Sequence, residues 1–251
     1  MNRIRLCLLV TFCLVSASAW AAEADAPRRF RLDVEMGPSW QTRNDVRIPG
    51  VGGTMLALDE FDKGPFFFQR VSGWYRFNER HALRALYAPF SVTVRGTPAG
   101  DVLFDGVTFP GGEPFDATYQ FNSYRLAYLY TPSRDGRWDL TFGFSAKVRD
   151  ARVALAGASQ THAYDNVGFV PLLLARVEVE LSPRLQGLLD VEALAAPQGR
   201  AEDATLQLRY RLSDGMDVGV GYRMVEGGAD NDKVLTFAWL HYLVASASVD
   251  F

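Results

Sequence analysis

The stretch 138–149, WDLTFGFSAKVR, decides the fold class of this chain. From Trp138 onward every second residue is apolar, and the residues between them are small, polar or charged. Because successive side chains of a β-strand point to opposite faces, this alternation predicts a strand with one apolar and one polar side. The same alternation recurs in residues 176–181, 204–212 and 216–225.

The length of these stretches distinguishes a membrane barrel from a soluble β-sandwich, which can alternate in the same way. Strands of about ten residues, at roughly 3.3 Å per residue and a tilt near 40°, span about 25 Å, the height of an outer-membrane apolar band. Soluble strands typically stop after about five or six residues. Strand length therefore favours the membrane barrel over the sandwich.

The connections between the alternating stretches are short and long in turn, as in a barrel with short periplasmic turns and longer outer loops. We predict an all-β, antiparallel, up-and-down transmembrane barrel of ten strands, with eight or twelve as alternatives. The strands are expected near 29–42, 65–77, 81–95, 119–132, 137–150, 165–181, 185–196, 203–212, 216–226 and 233–251. Loops 43–64 and 96–118 are the least defined, and residues 46–48 or 102–109 are candidates for strand extensions or an added hairpin.

Residues 1–21 are expected to be a cleaved signal peptide, which leaves 22–251 as the barrel. Two early arginines precede an uncharged apolar run, and Ala19-Trp20-Ala21 fits a cleavage site. Both cysteines, Cys7 and Cys13, lie in this segment. The remaining chain has 24 basic and 29 acidic residues, a formal charge of −5, which does not fit nucleic-acid binding. No later stretch has the eighteen consecutive apolar residues of a spanning helix.

These features together resemble the outer-membrane β-barrel proteins of Gram-negative bacteria: the signal-like start, the long alternating strands and a terminal Phe251. The resemblance implies a location in the cell outer membrane and contact with its lipids, including lipopolysaccharide. It also implies that the barrel-assembly machinery recognises the last strand, 241–251, with Phe251. We find no match in this sequence to the acidic pairs and the Asp-His dyad of the ten-stranded omptin proteases. We also find no match to the closely spaced His and Ser of the outer-membrane lipid A deacylases.

The polar faces of the strands are expected to fill the barrel lumen with charges of both signs. A ten-stranded lumen is narrow, so long charged side chains should cross it and pair. A salt-bridge plug is favoured over a selective channel, with Arg149, Arg176, Arg209 and Arg223 contacting carboxylates. The expected lumen network consists of Arg31, Asp33, Glu35, Arg70, Arg125, Lys147, Arg149, Arg176, Glu178, Glu180, Asp190, Glu192, Arg209, Asp217 and Arg223.

The three histidines offer no clear catalytic constellation. His81 follows a periplasmic turn, and His162 lies in an outer loop beside Asp165. His241 alternates with the apolar residues of the last strand, which aims it at lipid unless a β-bulge turns it inward. Metalloprotease, nucleophile-elbow and Cys/His metal motifs are absent, so we expect neither catalytic residues nor a cofactor.

Acidic residues near the outer ends of the later strands are weak candidates for a cation site. Asp203, Glu226, Asp230 and Asp232 could supply oxygen ligands to Ca²⁺ or to cations that bridge lipopolysaccharide phosphates. Gly, Asn and Asp are also the residues that tight turns require, and turn formation is the favoured interpretation.

The sequence therefore favours a non-enzymatic role at the cell envelope or surface for a barrel with a charge-plugged lumen. A porin-like narrow pore or uptake channel is the alternative, and a lipid-modifying enzyme or protease of the outer membrane is the second.

Overall fold

The computed structural model describes residues 28–132, 134, 136–197 and 199–251, so the expected signal peptide 1–21 lies outside them. No helix among the described residues is long and apolar enough to cross a membrane. The described residues include a 3-10 turn, Leu58–Glu60. The strands are β1 (Phe30–Arg47), β2 (Leu56–Ala57), β3 (Phe66–Arg76), β4 (His81–Ala88), β5 (Ser91–Gly96), β6 (Val102–Phe104), β7 (Val107–Phe109), β8 (Phe115–Tyr130), β9 (Trp138–Ala156), β10 (Thr161–Ser182), β11 (Leu185–Ala196), β12 (Gly199–Ser213), β13 (Met216–Asp230) and β14 (Leu235–Asp250).

The strands form a closed antiparallel barrel with ten strand positions. Neighbours in sequence are neighbours in the wall, and β14 pairs with β1 through a register that includes Arg31 opposite Asp250. β4 and β5 both pair with β8 and together fill one position, broken at Pro89, which has no N–H for the ladder. Closure leaves the first and last strands paired, as a lipid environment requires. The prediction of an all-β, ten-stranded barrel is confirmed.

The two faces of the wall differ in the way that the alternation predicts. Outward side chains such as Phe142, Phe144, Leu208 and Val220 are exposed, and Phe144 is 60% accessible. Their inward neighbours are buried. A band of exposed apolar side chains on a closed barrel is the surface that such a protein presents to lipid.

The strands extend further outward than the sequence pattern indicated. β9 and β10 pair as far as Ala156 and Thr161, so most of the expected loop 151–164 is strand. Within 96–118, β6 and β7 form a hairpin whose two turn residues, Asp105 and Gly106, both have positive φ. An Asp-Gly pair is typical of this type of tight turn, and the hairpin was one of the open alternatives.

The outer half of the barrel encloses a hydrophobic core, which we call the outer apolar cluster. It is built from β1, loops 43–64 and 96–118, and the inward faces of β3, β5, β8, β9, β13 and β14. Its buried members are Val46, Ile48, Leu56, Leu58, Phe68, Phe90, Val92, Val94, Val102, Phe104, Phe109, Phe115, Ala117, Tyr119, Val153, Leu155, Val225, Val234, Ala238, Leu240, Tyr242 and Val244.

Candidate functional site: the barrel interior

Buried charge fills the interior between the periplasmic end and the outer apolar cluster. Seven buried arginines each have a carboxylate within 4.0 Å. We call this set the charge layer. Its members are Arg31, Asp33, Glu35, Arg70, Arg84, Arg125, Arg176, Glu178, Asp190, Glu192, Asp203, Arg209 and Arg223.

Asp203 is the centre of the outer half of this layer. Only 3% of the residue is exposed, and its carboxylate lies 3.0 Å from the Arg70 guanidinium and 2.8 Å from that of Arg125. Arg223 also donates to it. Glu35 completes the group, 2.7 Å from Arg223. Since a buried charge is costly without partners, the three guanidiniums around Asp203 supply the charged hydrogen-bond donors that a buried carboxylate requires.

The inner half of the layer is organised around Arg176. It lies 2.6 Å from Glu178 and 2.8 Å from Asp190, and its guanidinium stacks over the Trp74 ring. Arg84 also lies over this indole and reaches Asp190 at 2.6 Å. Strands on opposite sides of the lumen are therefore bonded to each other through its centre.

At the periplasmic end, Arg31 on β1 forms ion pairs with carboxylates of β1, β13 and β14. It lies 2.7 Å from Asp33, 2.9 Å from Asp250 and 3.2 Å from Asp217. The cavity that remains within the charge layer measures about 30 Å³. This volume holds a water molecule or two.

A second closure lies further out, where the β6–β7 hairpin folds over the lumen. The backbone N–H of Asp105 donates to the Ile48 carbonyl at 2.8 Å, and that of Thr54 donates to Leu103 at 2.9 Å. The side chain of His162 lies 2.9 Å from Asp105, which joins β10 to the hairpin. The expectation of a plug made by charge alone was incomplete, because an apolar closure lies above it.

Lys147 and Arg149 are the exceptions among the inward cations. Within the described part of the chain, neither has a carboxylate within 4.0 Å, and Arg149 donates instead to the Asn166 side-chain oxygen. The predicted pairing of Arg149 with a carboxylate is therefore wrong. Asp150, the next acidic residue on β9, accepts from Gln120 and Asn122 instead.

These two cations face a cavity of about 480 Å³ that lies beside the outer apolar cluster. The lining is mainly apolar, and Lys147 lies over the Phe121 ring at 4.7 Å. The lining residues come mainly from β8 through β14 and include Tyr119, Phe121, Val153, Val170, Leu194 and Ala201. This cavity is far larger than the gap within the charge layer.

The other candidate residues take varied positions. Glu180 is exposed near a periplasmic turn, with no ion pair among the described residues. His241 stays on the outer surface between Trp239 and Tyr222, with its Nε2 atom 2.8 Å from Thr42 Oγ1. The β-bulge lies on the partner strand β1, between Gln41 and Arg43, and does not turn the imidazole inward.

The acidic residues considered for a cation site are not gathered. Asp203 is buried in the lumen and does not lie at the outer rim. β12 begins at Gly199, so Asp203 is already four residues below the outer end of that strand. Glu226 pairs with Arg200, while Asp230 and Asp232 are exposed. No group of three His, Cys, Asp or Glu side chains placed to hold a metal occurs in the described ranges.

Arg84, Trp74 and Asp203 are interior residues that the alternation did not assign to the lumen. On β4 the inward residues next to Arg84 are Ala82 and Leu86. Both faces of this strand are therefore largely apolar, and the sequence pattern does not show which face points into the lumen. The signal that could have found Arg84 is its position two residues from these buried neighbours in a strand of strict period two.

Comparison with known proteins supports the fold. No family model matches the sequence, and no curated protein matches it significantly. The solved structure of the outer membrane protease OmpT from Escherichia coli superposes with a TM-score of 0.54 at 10% identity, covering 92% of this chain and 99% of that one. Neisserial surface protein A matches with a TM-score of 0.38 at 13% identity, over 88% and 97%. Ail of Yersinia pestis matches with 0.39 at 11% identity, over 89% and 99%. The chain has the fold of an outer-membrane β-barrel.

Proposed function

We propose that this chain is a non-enzymatic outer-membrane barrel that does not conduct solutes and acts at the envelope surface. The observation that carries the proposal is the double closure of the lumen. The charge layer leaves about 30 Å³, and the outer apolar cluster with the β6–β7 hairpin lies above it. A pore would need a continuous path through both, and ion pairs across the lumen oppose one.

Conductance across a planar bilayer tests this proposal. Purified wild-type protein should give no large, steady current. A variant in which residues 101–110 are replaced by a short Gly-Ser linker should also stay closed, because the charge layer remains beneath the removed hairpin. A general porin measured in parallel serves as the positive control. A steady current that scales with salt, from a preparation free of porins, would overturn the proposal.

The proposed location has its own test. The apolar band on the outside of the barrel supports contact with outer-membrane lipids, including lipopolysaccharide. The protein should fractionate with outer membranes, and its mature N-terminus should be Ala22. Recovery of a cytoplasmic pool with Met1 retained would contradict both expectations.

Recognition by the barrel-assembly machinery is proposed to depend on Phe251. The ring stacks on Phe30 with centroids 6.0 Å apart, and the two backbones exchange hydrogen bonds of 2.9 Å. Phe251→Ala keeps those backbone bonds, so refolding of purified protein into detergent should proceed near the wild-type yield. Assembly in cells should fall. Equal loss in both settings would assign Phe251 a structural role only.

A further inference from the structure

The barrel rim has a gap beside the outer part of β10, because the β11–β12 hairpin ends before β10 does. β10 pairs with β9 along its whole length out to Thr161, but its ladder with β11 begins only at Leu173 opposite Ala193. β11 ends at Ala196, and β12 begins at Gly199. We call this gap the wall notch; residues 161–172 bound it on one side and 194–197 on the other.

The inner edge of the wall notch lies in the outer part of the apolar band. Leu173 is eight residues from Leu181 at the periplasmic end of β10, which corresponds to about 20 Å of a band about 25 Å high. Phe169 and Leu173 flank it with outward side chains that are about two-thirds exposed. Pro171, which has no N–H, fits a strand edge that lacks a partner. The gap therefore faces the outer leaflet.

The 480 Å³ cavity lies directly behind the wall notch. Its lining includes Val170 and Pro171 from one side of the gap and Leu194 and Ala196 from the other. Its volume falls within the range of small-molecule sites, about 300 to 1,000 Å³. Its mainly apolar lining suits a hydrocarbon chain that reaches it from lipid.

Lys147 and Arg149 line the inner wall of this cavity without a carboxylate within 4.0 Å among the described residues, and the acidic lining residue, Glu226, pairs with Arg200. Lys147 is 97% buried, since its exposed fraction is 3%, and its cross-strand neighbour is Arg125, another cation. Arg149 contacts the Asn166 amide, and its Nε atom is buried without a hydrogen-bond partner. Because buried charge without a counter-charge is costly, this pair favours an anionic ligand.

We propose that the cavity binds a single-chain anionic amphiphile of the fatty-acid type drawn from the outer leaflet. Its carboxylate lies between Lys147 and Arg149, and its chain passes through the wall notch. The inference goes beyond the proposed envelope role and does not require a non-conducting lumen. A free inorganic anion would leave the apolar lining and the lateral gap unexplained.

Competition binding with a fluorescent polyene fatty acid tests the proposal on the mature barrel in zwitterionic vesicles. Oleate should displace the probe, whereas oleyl alcohol of equal chain length should compete roughly tenfold less well or weaker, because it lacks the charge. Acetate and inorganic phosphate should not compete. Competition by these small anions at the concentration of oleate would reassign the cavity to free anions and overturn the lipid source.

Charge-removing variants test whether Lys147 and Arg149 bind the carboxylate. Lys147→Met and Arg149→Gln should each weaken oleate binding roughly tenfold. Arg95→Gln removes the same charge from a side chain that is 72% exposed on the outer surface and should leave binding unchanged. Equal effects of the interior and surface variants would refute a specific carboxylate site.

Substitutions that fill the cavity with a large side chain test whether the hydrocarbon chain occupies it. Val170 lies opposite Lys147 across the β9–β10 ladder, so Val170→Trp should abolish binding. Val148→Trp, on the outward face of β9, is the matched control. Heat-dependent gel mobility verifies folding, and Ala196→Trp on the other side of the notch replaces any variant that does not fold. Wild-type affinity in a folded, filled variant would contradict the proposal.

Discussion

The charge layer and the 480 Å³ cavity lined by Lys147 and Arg149, which we call the cationic cavity, are adjacent regions of one lumen. They differ in whether their cationic side chains have carboxylate partners. In the charge layer every guanidinium has a carboxylate within 4.0 Å, whereas Lys147 and Arg149 have none among the described residues. The register places the boundary between them at one ladder step, Arg125 opposite Lys147. The difference indicates that the paired charges hold the wall together, while the unpaired charges are available to a ligand.

The largest expected effect comes from removing the centre of the charge layer. Asp203→Ala leaves three buried guanidiniums with too few partners, and it should lower the free energy of unfolding by about 3–5 kcal/mol. Urea titration of the barrel in vesicles measures this change. Asp165→Ala is the control, because Asp165 pairs with Arg152 at the surface and such pairs contribute roughly 0–1 kcal/mol. Equal losses in the two variants would remove the distinction between paired interior and surface charge.

A charge placed on the outer face should have the next largest effect. Leu206 lies near the middle of β12 with its side chain 62% exposed, so Leu206→Arg should destabilise the barrel by roughly 2–4 kcal/mol. Val218 lies two residues from the periplasmic start of β13, and Val218→Arg should cost less because the penalty falls towards the interface. The same urea titration compares them. A larger cost at Val218 would contradict the depth assigned to the band.

The smallest effect is expected at the cavity itself. Lys147→Met should change the free energy of unfolding by about 1 kcal/mol or less in either direction, because the loss of the contact with Phe121 is offset by the removal of a buried charge that has no carboxylate partner. Arg125→Met strips a partner from both Asp203 and Glu192 and should destabilise clearly more. A large loss in Lys147→Met would place this residue in the charge layer after all.

Alternation along the chain predicts the wall because side-chain direction depends only on the period of two. Phe142 and Lys147 can be assigned to opposite faces from sequence for that reason. Alternation says nothing about which strands pair along their full lengths. The wall notch depends on where the β10–β11 ladder stops, and the residues there, 170–175, are apolar on both faces. Pro171 is the one local signal of an edge in that run.

The ion pairs were harder to predict than the faces. Arg176 meets Asp190 from the neighbouring strand, which a meander predicts. Asp203 meets Arg70 across the lumen, and such contacts depend on the barrel diameter and stagger, which a sequence pattern does not contain. The outer apolar cluster escaped prediction because its loop residues show no period, although Phe104 and Phe109 are apolar residues flanking an Asp-Gly turn.

Cysteine accessibility tests most directly the claim that an open cationic cavity lies beside a closed charge layer. Residues 22–251 contain no cysteine, so single substitutions report alone. A membrane-impermeant, negatively charged thiol reagent should label Val170→Cys in the cavity quickly. It should label Thr205→Cys, buried within the charge layer, no faster than the unfolding rate of the barrel. Equal labelling of the two positions would show one continuous water-filled lumen and would contradict the account.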